Sequence, residues 1–270
     1  MAAAPPAAAA DPTPSVPVAD LFSLNGKVAL LSGGTRGIGE ACAIALAQAG
    51  AAVCLIQRDA SQTGTRDALR LLGARSEIVR CDLADMASVK TVFERALELM
   101  GGEIHILVNC GGIQRRHPSV DFPEKDWDEV IDVNLKSVWL LCQAAGRHMV
   151  PRRRGKIISF ASLLTFQGGL TVPAYAAAKG AVGQLTKALS NEWSKDNVQV
   201  NAIAPGYIAT DMNERLLADP TRLRQISERI PAGRWGQPAD FAGPTVFLAS
   251  AASQYVSGEV LVVDGGWMGR

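Results

Sequence analysis

Short, uninterrupted apolar runs alternate with helical patterns along almost the whole chain of 270 residues. Strands that are apolar on both faces are typical of parallel sheets covered by helices on both sides. The alternation therefore predicts an α/β fold with one doubly wound parallel sheet of about seven strands and helices on both faces. The predicted strands are Val28–Ser32, Ala52–Gln57, Ile78–Cys81, Ile104–Asn109, Lys156–Phe160, Val198–Ile203 and Val260–Val263.

Two segments lack this alternation. Residues 1–20 are rich in Ala and Pro and contain no Lys or Arg, so they match neither a secretory signal nor a mitochondrial presequence. We expect a disordered tail there, because Ala and Pro alone bury too little apolar surface to offset the entropy of ordering the chain. Residues 206–238 carry few strand signals. We predict that they form a substrate loop within one domain that spans residues 21–270.

Charge and cysteine usage exclude several classes of protein. The 27 basic and 26 acidic residues give a net charge of +1, which predicts no nucleic-acid or membrane-surface partner. No stretch approaches the ~20 apolar residues of a membrane span. Five cysteines form no Cys-x-x-Cys pair, and the three histidines lack ligand spacing. We therefore expect reduced thiols, no metal site and a cytoplasmic location.

A glycine-rich turn follows the first predicted strand and begins the first helix. It reads Ser32-Gly-Gly-Thr-Arg-Gly-Ile-Gly39, with candidate cofactor-binding residues Gly33, Thr35, Arg36, Gly37, Ile38 and Gly39. Glycines at such a turn let backbone N–H groups approach a pyrophosphate, which the helix N-terminus attracts. The position of the turn predicts a Rossmann-type site for NAD or NADP.

The end of the second strand favours NADP over NAD. The strand ends in Gln57-Arg58-Asp59, and an arginine can bind the 2′-phosphate of NADP, which a carboxylate would repel. Arg36 in the glycine-rich turn can reach the same phosphate. NAD remains an alternative cofactor because of Asp59. If the strand ended one residue later, the Asp59 carboxylate would be directed at the ribose hydroxyls of NAD.

Tyr175 and Lys179 lie at positions i and i+4 of a predicted helix and therefore on one face. A neighbouring ammonium is expected to lower the pKa of the tyrosine towards neutrality, which suits proton transfer during carbonyl reduction or alcohol oxidation. Ser162 follows the fifth strand and can polarise a substrate carbonyl. Asn134 lies in the middle of a predicted helix over residues 125–149, where asparagine is unfavourable and indicates a kink or a bound water.

These residues together resemble the short-chain dehydrogenase/reductase family over residues 24–270. The resemblance adds Asn109-Cys-Gly-Gly after the fourth strand, although the family usually has Asn-Asn-Ala-Gly there. It implies catalytic roles for Asn134, Ser162, Tyr175 and Lys179, with Asn134 holding the water of a proton relay. It also implies a homotetramer. The further cofactor-binding residues that it implies are Asp82, Leu83, Asn109, Pro205, Gly206, Ile208 and Thr210, besides Tyr175 and Lys179.

A narrower resemblance, to bacterial deoxygluconate dehydrogenases, rests on four stretches: residues 112–116, 166–169, 230–236 and 264–270. It implies a sugar-acid substrate such as 2-deoxy-D-gluconate or 2-keto-3-deoxygluconate. Arg115 or Arg116 could then bind the carboxylate, Gln167 the hydroxyl groups, and Trp235 could stack on the substrate. Two alternatives stay open: a reductase of another ketone or acyl substrate, and a cofactor-binding scaffold without turnover.

Overall fold

The structure is a computed structural model that describes residues 16–270. Its seven strands are β1 (Val28–Ser32), β2 (Ala52–Gln57), β3 (Ser76–Arg80), β4 (Ile106–Asn109), β5 (Gly155–Phe160), β6 (Val198–Pro205) and β7 (Val260–Val263). The helices are α1 (Val18–Leu21), α2 (Gly37–Gln48), α3 (Gly64–Leu71), α4 (Met86–Met100), α5 (Glu124–Ile131), α6 (Ser137–Met149), α7 (Pro173–Trp193), α8 (Glu214–Leu217), α9 (Pro220–Ser227) and α10 (Ala242–Ala249).

All strand pairs are parallel, and the order across the sheet is β3-β2-β1-β4-β5-β6-β7. This confirms the predicted doubly wound sheet of seven strands. The order reverses between β1 and β4, and in such sheets ligands bind outside the carboxyl ends of the strands at this point. Asn109 pairs with Ser32 in register at this edge, so the segments that follow both strands begin side by side.

Helices cover both faces of the sheet, as predicted. Phe93 and Leu141, from α4 and α6, belong to the buried cluster on one face. Leu46 and Leu248, from α2 and α10, belong to the cluster on the other face. Because both faces are buried, the strands are mostly apolar, which explains why the sequence shows apolar runs rather than an alternating pattern.

The long helix predicted over residues 125–149 is divided by a π-helical segment. That segment, Asp132–Lys136, separates α5 from α6 and has Asn134 at its centre. In such π-bulges the backbone hydrogen bonds join residues five positions apart instead of four, and π-bulges occur often at functional sites. The local irregularity that a central asparagine indicated is therefore present.

A short helix precedes the sheet, and a bridge closes the predicted substrate loop. Residues 1–15 of the predicted tail lie outside the described residues, whereas the helix Val18–Leu21 begins within the predicted tail and ends one residue beyond it. Next to that helix, the Phe22 ring lies 6.5 Å from Phe247. The predicted substrate loop contains α8 and α9, and a bridge between Ile208 and Gly236 joins its two ends. No helix in residues 16–270 is long and apolar enough to cross a membrane.

Candidate active site

The glycine-rich turn between β1 and α2 requires glycine for two different reasons. Gly33 and Gly37 have positive φ angles of 75° and 58°, which side chains disfavour. A Cβ on Gly33 would also lie 2.7 Å from the Cα of Gly111, and one on Gly39 would overlap the carbonyl oxygen of Gly33. The turn after β1 therefore packs directly, backbone on backbone, against the segment after β4.

This turn leaves the N-terminus of α2 open to an anion. Arg36 occupies the N-cap position, and no side chain caps the helix. The first N–H groups of a helix without a side-chain cap attract a phosphate group. Ser32 accepts a hydrogen bond of 3.2 Å from Gly111 N–H, which holds the two neighbouring segments together. The backbone present here fits the pyrophosphate of a dinucleotide cofactor.

The loop after β2 presents two arginines around an aspartate that already has partners. Arg58 and Arg80 line a depression together with Asp59. The Asp59 carboxylate accepts hydrogen bonds from the Ser61 hydroxyl (2.6 Å) and backbone N–H (2.9 Å). These hydrogen bonds keep the pKa of Asp59 below its ordinary value. Asp59 is therefore directed into its own loop, while the arginines stand beside the depression.

Arg36 forms an ion pair that crosses the site. Its guanidinium lies 3.0 Å from the carboxylate of Asp211, and both side chains are mostly exposed. A Cβ on the adjacent Gly37 would lie 3.6 Å from Thr210. The glycine-rich turn thus contacts the beginning of the substrate loop, and this contact was not foreseen from the sequence.

Several other predicted cofactor residues lie along the same edge of the sheet. Asp82 accepts a hydrogen bond from Ala84 N–H at 3.0 Å. Leu83 packs closely on Gly111, because a Cβ added to Gly111 would lie 2.5 Å from the Leu83 side chain. Asn109 is buried and donates to Ser159 at 3.2 Å. Pro205 ends β6, Gly206 follows it and lies against Asp264, and Ile208 is buried beyond them.

Tyr175 and Lys179 lie one turn apart on α7, and both are buried. The Lys179 ammonium donates to the carbonyl oxygen of Phe160 at 2.5 Å and lies 5.6 Å from the centre of the Tyr175 ring. Burial lowers the pKa of Lys179 to about 8. The spacing predicted from the sequence is therefore present, with the ammonium directed at the end of β5.

Burial raises the pKa of Tyr175 to about 12, while a hydrogen bond with Ser162 and the charge of Arg116 act in the opposite direction. The expectation that Lys179 would lower this pKa is not met. The reason is geometric, because the ammonium is held by Phe160 and the phenol is desolvated. Tyr175 accordingly keeps its proton at neutral pH.

Ser162 stands at the beginning of a short turn that is joined to α7. Its hydroxyl oxygen accepts a hydrogen bond of 3.2 Å from Leu164 N–H. Thr165 Oγ1 accepts from Ser162 N–H at 3.3 Å and donates to the carbonyl oxygen of Lys179 at 2.9 Å. Thr165 therefore links the loop of Ser162 to the helix of Tyr175 and Lys179. The sequence contained no signal for this role.

Asn134 is fully buried and holds the chain after β4 through both atoms of its amide. Its oxygen accepts from Ile113 N–H at 2.8 Å, and its nitrogen donates to the Ile113 carbonyl at 2.7 Å. Gly112 lies close to both Asn134 and Lys179. A Cβ added to Gly112 would be 3.2 Å from the Asn134 side-chain oxygen and 3.9 Å from the Lys179 side-chain nitrogen. Asn134 thus positions a segment that borders Lys179, and its predicted relay water remains a prediction.

The predicted substrate residues differ in their surroundings. Arg115 donates two hydrogen bonds of 3.0 Å to the carboxylate of Glu129. Trp235 is buried, and its N–H donates to Ser227 at 3.0 Å while its ring packs on Tyr207, so stacking of Trp235 on a substrate does not fit this structure. Gln167 accepts a hydrogen bond of 3.5 Å from the Trp267 ring. Arg116 is the arginine whose charge acts on Tyr175.

The fold and the site define an NAD(P)-dependent oxidoreductase. A family model described as Enoyl-(Acyl carrier protein) reductase matches residues 33–268. The chain belongs to the short-chain dehydrogenase/reductase family, and it acts on CH–OH groups with NAD(P). This confirms the resemblance on which the sequence analysis relied. No group of three or more His, Cys, Asp or Glu side chains able to hold a metal occurs in the part of the chain that the structure describes.

Its relatives include several sugar-acid dehydrogenases. The chain is 50% identical to 2-dehydro-3-deoxy-D-gluconate 5-dehydrogenase of Pseudoalteromonas atlantica over 251 residues, which is 92% of this chain and 98% of the relative. It is 48% identical to the enzyme of that name from Bacillus subtilis, over 93% of this chain and 98% of the relative. A gluconate 5-dehydrogenase from Burkholderia cenocepacia, solved with NADP and tartrate, has a TM-score of 0.89 at 40% identity, with 93% of this chain and 99% of that chain covered.

Proposed function

We propose that this protein is an NADP(H)-dependent dehydrogenase of a sugar acid, of the 2-keto-3-deoxygluconate or gluconate type. The observation that carries the proposal is the arrangement of buried Tyr175 and Lys179 at the end of β5. The charge of Arg116 acts on the Tyr175 phenol. A cation close to the reacting group suits a substrate that carries a carboxylate. The names of the relatives and the tartrate bound to one of them agree with this substrate class.

The reaction uses the groups around Tyr175. Bound nicotinamide supplies or accepts the hydride. In the reducing direction the Tyr175 hydroxyl gives its proton to the substrate oxygen, and in the oxidising direction the phenolate oxygen removes the proton of the substrate hydroxyl. Ser162 accepts from Leu164 N–H and forms a hydrogen bond with Tyr175, so its hydroxyl lies beside the group that transfers the proton and can donate to the substrate oxygen once the substrate is bound. Lys179 provides the positive charge that offsets a developing phenolate.

NADP(H) is the proposed cofactor because of the charges at the end of β2. Arg58 and Arg80 line the depression there, and the Asp59 carboxylate is occupied by Ser61. Two guanidinium groups favour a 2′-phosphate, which binds arginine in a bidentate manner. Two solved relatives, from Agrobacterium tumefaciens and Burkholderia cenocepacia, contain bound NADP.

The test is a steady-state assay of the purified protein with a panel of sugar acids, the matching neutral sugars and an acyl thioester. We expect turnover of the acids only. In Arg116→Gln, the KM of the acid should rise about 10- to 100-fold, because a charged hydrogen bond is lost. Arg153→Gln, which removes an ion pair with Asp196 far from the site, serves as the control. Equal turnover of acids and neutral sugars by the natural protein would contradict the proposal.

Reduction of an acyl substrate is the second candidate, favoured by the description of the matching family model. An acyl-carrier protein would need a basic patch beside the site. The run of three arginines, residues 152–154, lies instead just before β5, at the amino ends of the strands and away from the site. There Arg153 pairs with Asp196, and Arg154 pairs with Glu103. The acyl thioester in the same assay decides between the two functions.

A homotetramer and a cytoplasmic location remain part of the proposal. Trp127 and Trp139, on α5 and α6, are 38% and 37% exposed, which supports contact between copies through these helices. Size-exclusion chromatography with light scattering is expected to give four times the mass of the 28.5 kDa chain.

A further inference from the structure

Gln57 is the last residue of β2 and is buried beside the depression proposed for the 2′-phosphate, with 5% of its surface exposed. The neighbouring strand β3 holds its backbone, because Cys81 N–H donates to the Gln57 carbonyl at 2.9 Å. Arg80, which pairs with Gln57 in register, donates through Nε to the Arg58 carbonyl at 3.4 Å. Gln57 thus adjoins the loop that carries Arg58, but it does not line the depression itself.

Both amide hydrogens of Gln57 are used on that loop. Its Nε2 atom donates to the carbonyl oxygens of Asp59 and Gln62, at 2.8 Å each. Only the NH2 group of a carboxamide can donate to two carbonyl oxygens, so the orientation of the amide is fixed. The Gln57 Oε1 atom is buried and has no hydrogen-bond partner within residues 16–270. A buried acceptor without a partner costs free energy, which indicates that this side chain serves the loop through its donors.

The two carbonyl groups that Gln57 binds are the ends of a tight turn. Gln62 N–H donates to the Asp59 carbonyl at 3.3 Å, so the turn closes over residues 59–62. Inside the turn, the Ser61 hydroxyl and backbone N–H both donate to the Asp59 carboxylate. Because Gln57 holds both ends of the turn, it also holds Ser61 in the place from which Ser61 binds that carboxylate.

We propose that Gln57 sets the preference for NADPH over NADH, as a positioning residue that keeps the Asp59 carboxylate on Ser61. Arg58 and Arg80 line the same depression as Asp59. A carboxylate released from Ser61 would compete for their guanidinium groups and repel a 2′-phosphate. The same carboxylate could accept hydrogen bonds from the ribose hydroxyls of NADH. This inference rests on the proposed function, from which it uses the cofactor and not the sugar acid.

The first experiment measures the Kd of NADPH and of NADH for Gln57→Leu by nicotinamide fluorescence. Leucine has nearly the same size and donates no hydrogen bond. We expect the preference for NADPH to fall about fivefold, the upper end for an exposed charge pair. Gln199→Leu is the matched control. Gln199 is also 5% exposed, lies at the amino end of β6 and donates to Asn197 at 3.2 Å. The control should lose thermal stability as well, but it should keep the natural preference.

The second experiment tests whether the Asp59 carboxylate carries the effect. Asp59→Asn alone should change the preference little, because asparagine can still accept hydrogen bonds from Ser61. Added to Gln57→Leu, it should restore most of the preference for NADPH, since the released side chain then carries no charge. General damage to the fold would not be repaired by this substitution.

A variant at an exposed position keeps the inference testable if Gln57→Leu does not fold. Ser61→Ala removes the hydroxyl donor of the Asp59 carboxylate and leaves the buried amide untouched. Its preference for NADPH should fall in the same direction, by about twofold, because the backbone N–H of residue 61 still donates. An unchanged preference in Ser61→Ala would contradict the inference.

The outcomes separate this inference from the proposed function. If the natural protein binds NADH as tightly as NADPH, the cofactor part of the proposed function fails and this inference fails with it. If Arg58→Ala loses the preference for NADPH but Gln57→Leu keeps it, only the role of Gln57 is overturned. That role is also overturned if Gln57→Leu loses the preference and Asp59→Asn does not restore it.

Discussion

The cofactor half and the substrate half of the site are held together by different forces. Around the glycine-rich turn, backbone lies on backbone: Gly33 touches Gly111, and Gly39 touches Gly33. In residues 113–117, which follow β4, side chains from separate elements make the contacts, as in the pair of Arg115 and Glu129. The first arrangement leaves no room for a Cβ at Gly33 or Gly39, whereas side chains in the second can be shortened or exchanged one at a time. We therefore expect substitutions in the cofactor half to abolish cofactor binding, and substitutions in the substrate half to lower activity by degrees.

Gly39→Ala should have the largest effect. The new Cβ would overlap the Gly33 carbonyl oxygen, so the turn must move, at a cost of about 1–3 kcal/mol in the free energy of unfolding. NADPH binding should be lost in a fluorescence titration. Gly243→Ala is the matched control, because nothing lies within 4 Å of its added Cβ in α10. That control should bind NADPH normally, and normal binding by Gly39→Ala would refute the comparison.

Tyr175→Phe is expected to reduce kcat by about 10²- to 10⁴-fold, the usual range for loss of a general acid or base. NADPH binding should persist, because the phenol hydroxyl takes no part in the contacts of the glycine-rich turn. A fluorescence titration beside a turnover assay measures both. Retained turnover in this variant would reject the chemistry assigned to Tyr175.

The pH dependence of turnover and that of cofactor binding should also differ between the substrate half and the cofactor half of the site. Burial lowers the pKa of Lys179 to about 8, so its ammonium is present below that pH and is lost as the pH rises through it. We expect kcat/KM for NADPH in the reducing direction to fall as the pH rises above about 8, since this ratio reports the free enzyme. The Kd of NADPH should change much less than kcat/KM over the same range. A flat profile between pH 6 and 10 would contradict the role of Lys179.

Asp211→Asn should have the smallest effect of these substitutions, and it should strengthen NADPH binding rather than weaken it. Asp211 holds Arg36 at 3.0 Å, and a 2′-phosphate would compete for the same guanidinium. Removing this exposed competitor should tighten NADPH binding about two- to fivefold, the scale of a surface ion pair. NADH binding should not change. Arg58→Ala should weaken NADPH binding selectively, and equal effects on both cofactors in either variant would point to a structural cause.

The positions of several predicted site residues could be read from the sequence because their determinants are local. The glycine-rich turn, the pair of Tyr175 and Lys179 and the central asparagine all lie in short segments whose spacing is visible in the chain. The predicted effect of Lys179 on the pKa of Tyr175 was wrong, since burial cannot be read from spacing. Stacking by Trp235 was equally inaccessible, because its packing on Tyr207 and its bond to Ser227 depend on how the substrate loop folds.

What the sequence determined by itself was the order of strands and helices, the family and the residues able to carry the chemistry. These follow from periodicity and from the conformations that glycine alone permits. Only the tertiary structure decided that Arg115 pairs with Glu129 and that the charge of Arg116 acts on Tyr175. It alone showed that Thr165 joins Ser162 to α7 and that Arg36 pairs with Asp211. Such contacts depend on distances between segments far apart in the chain, and those distances exist only after the sheet has formed.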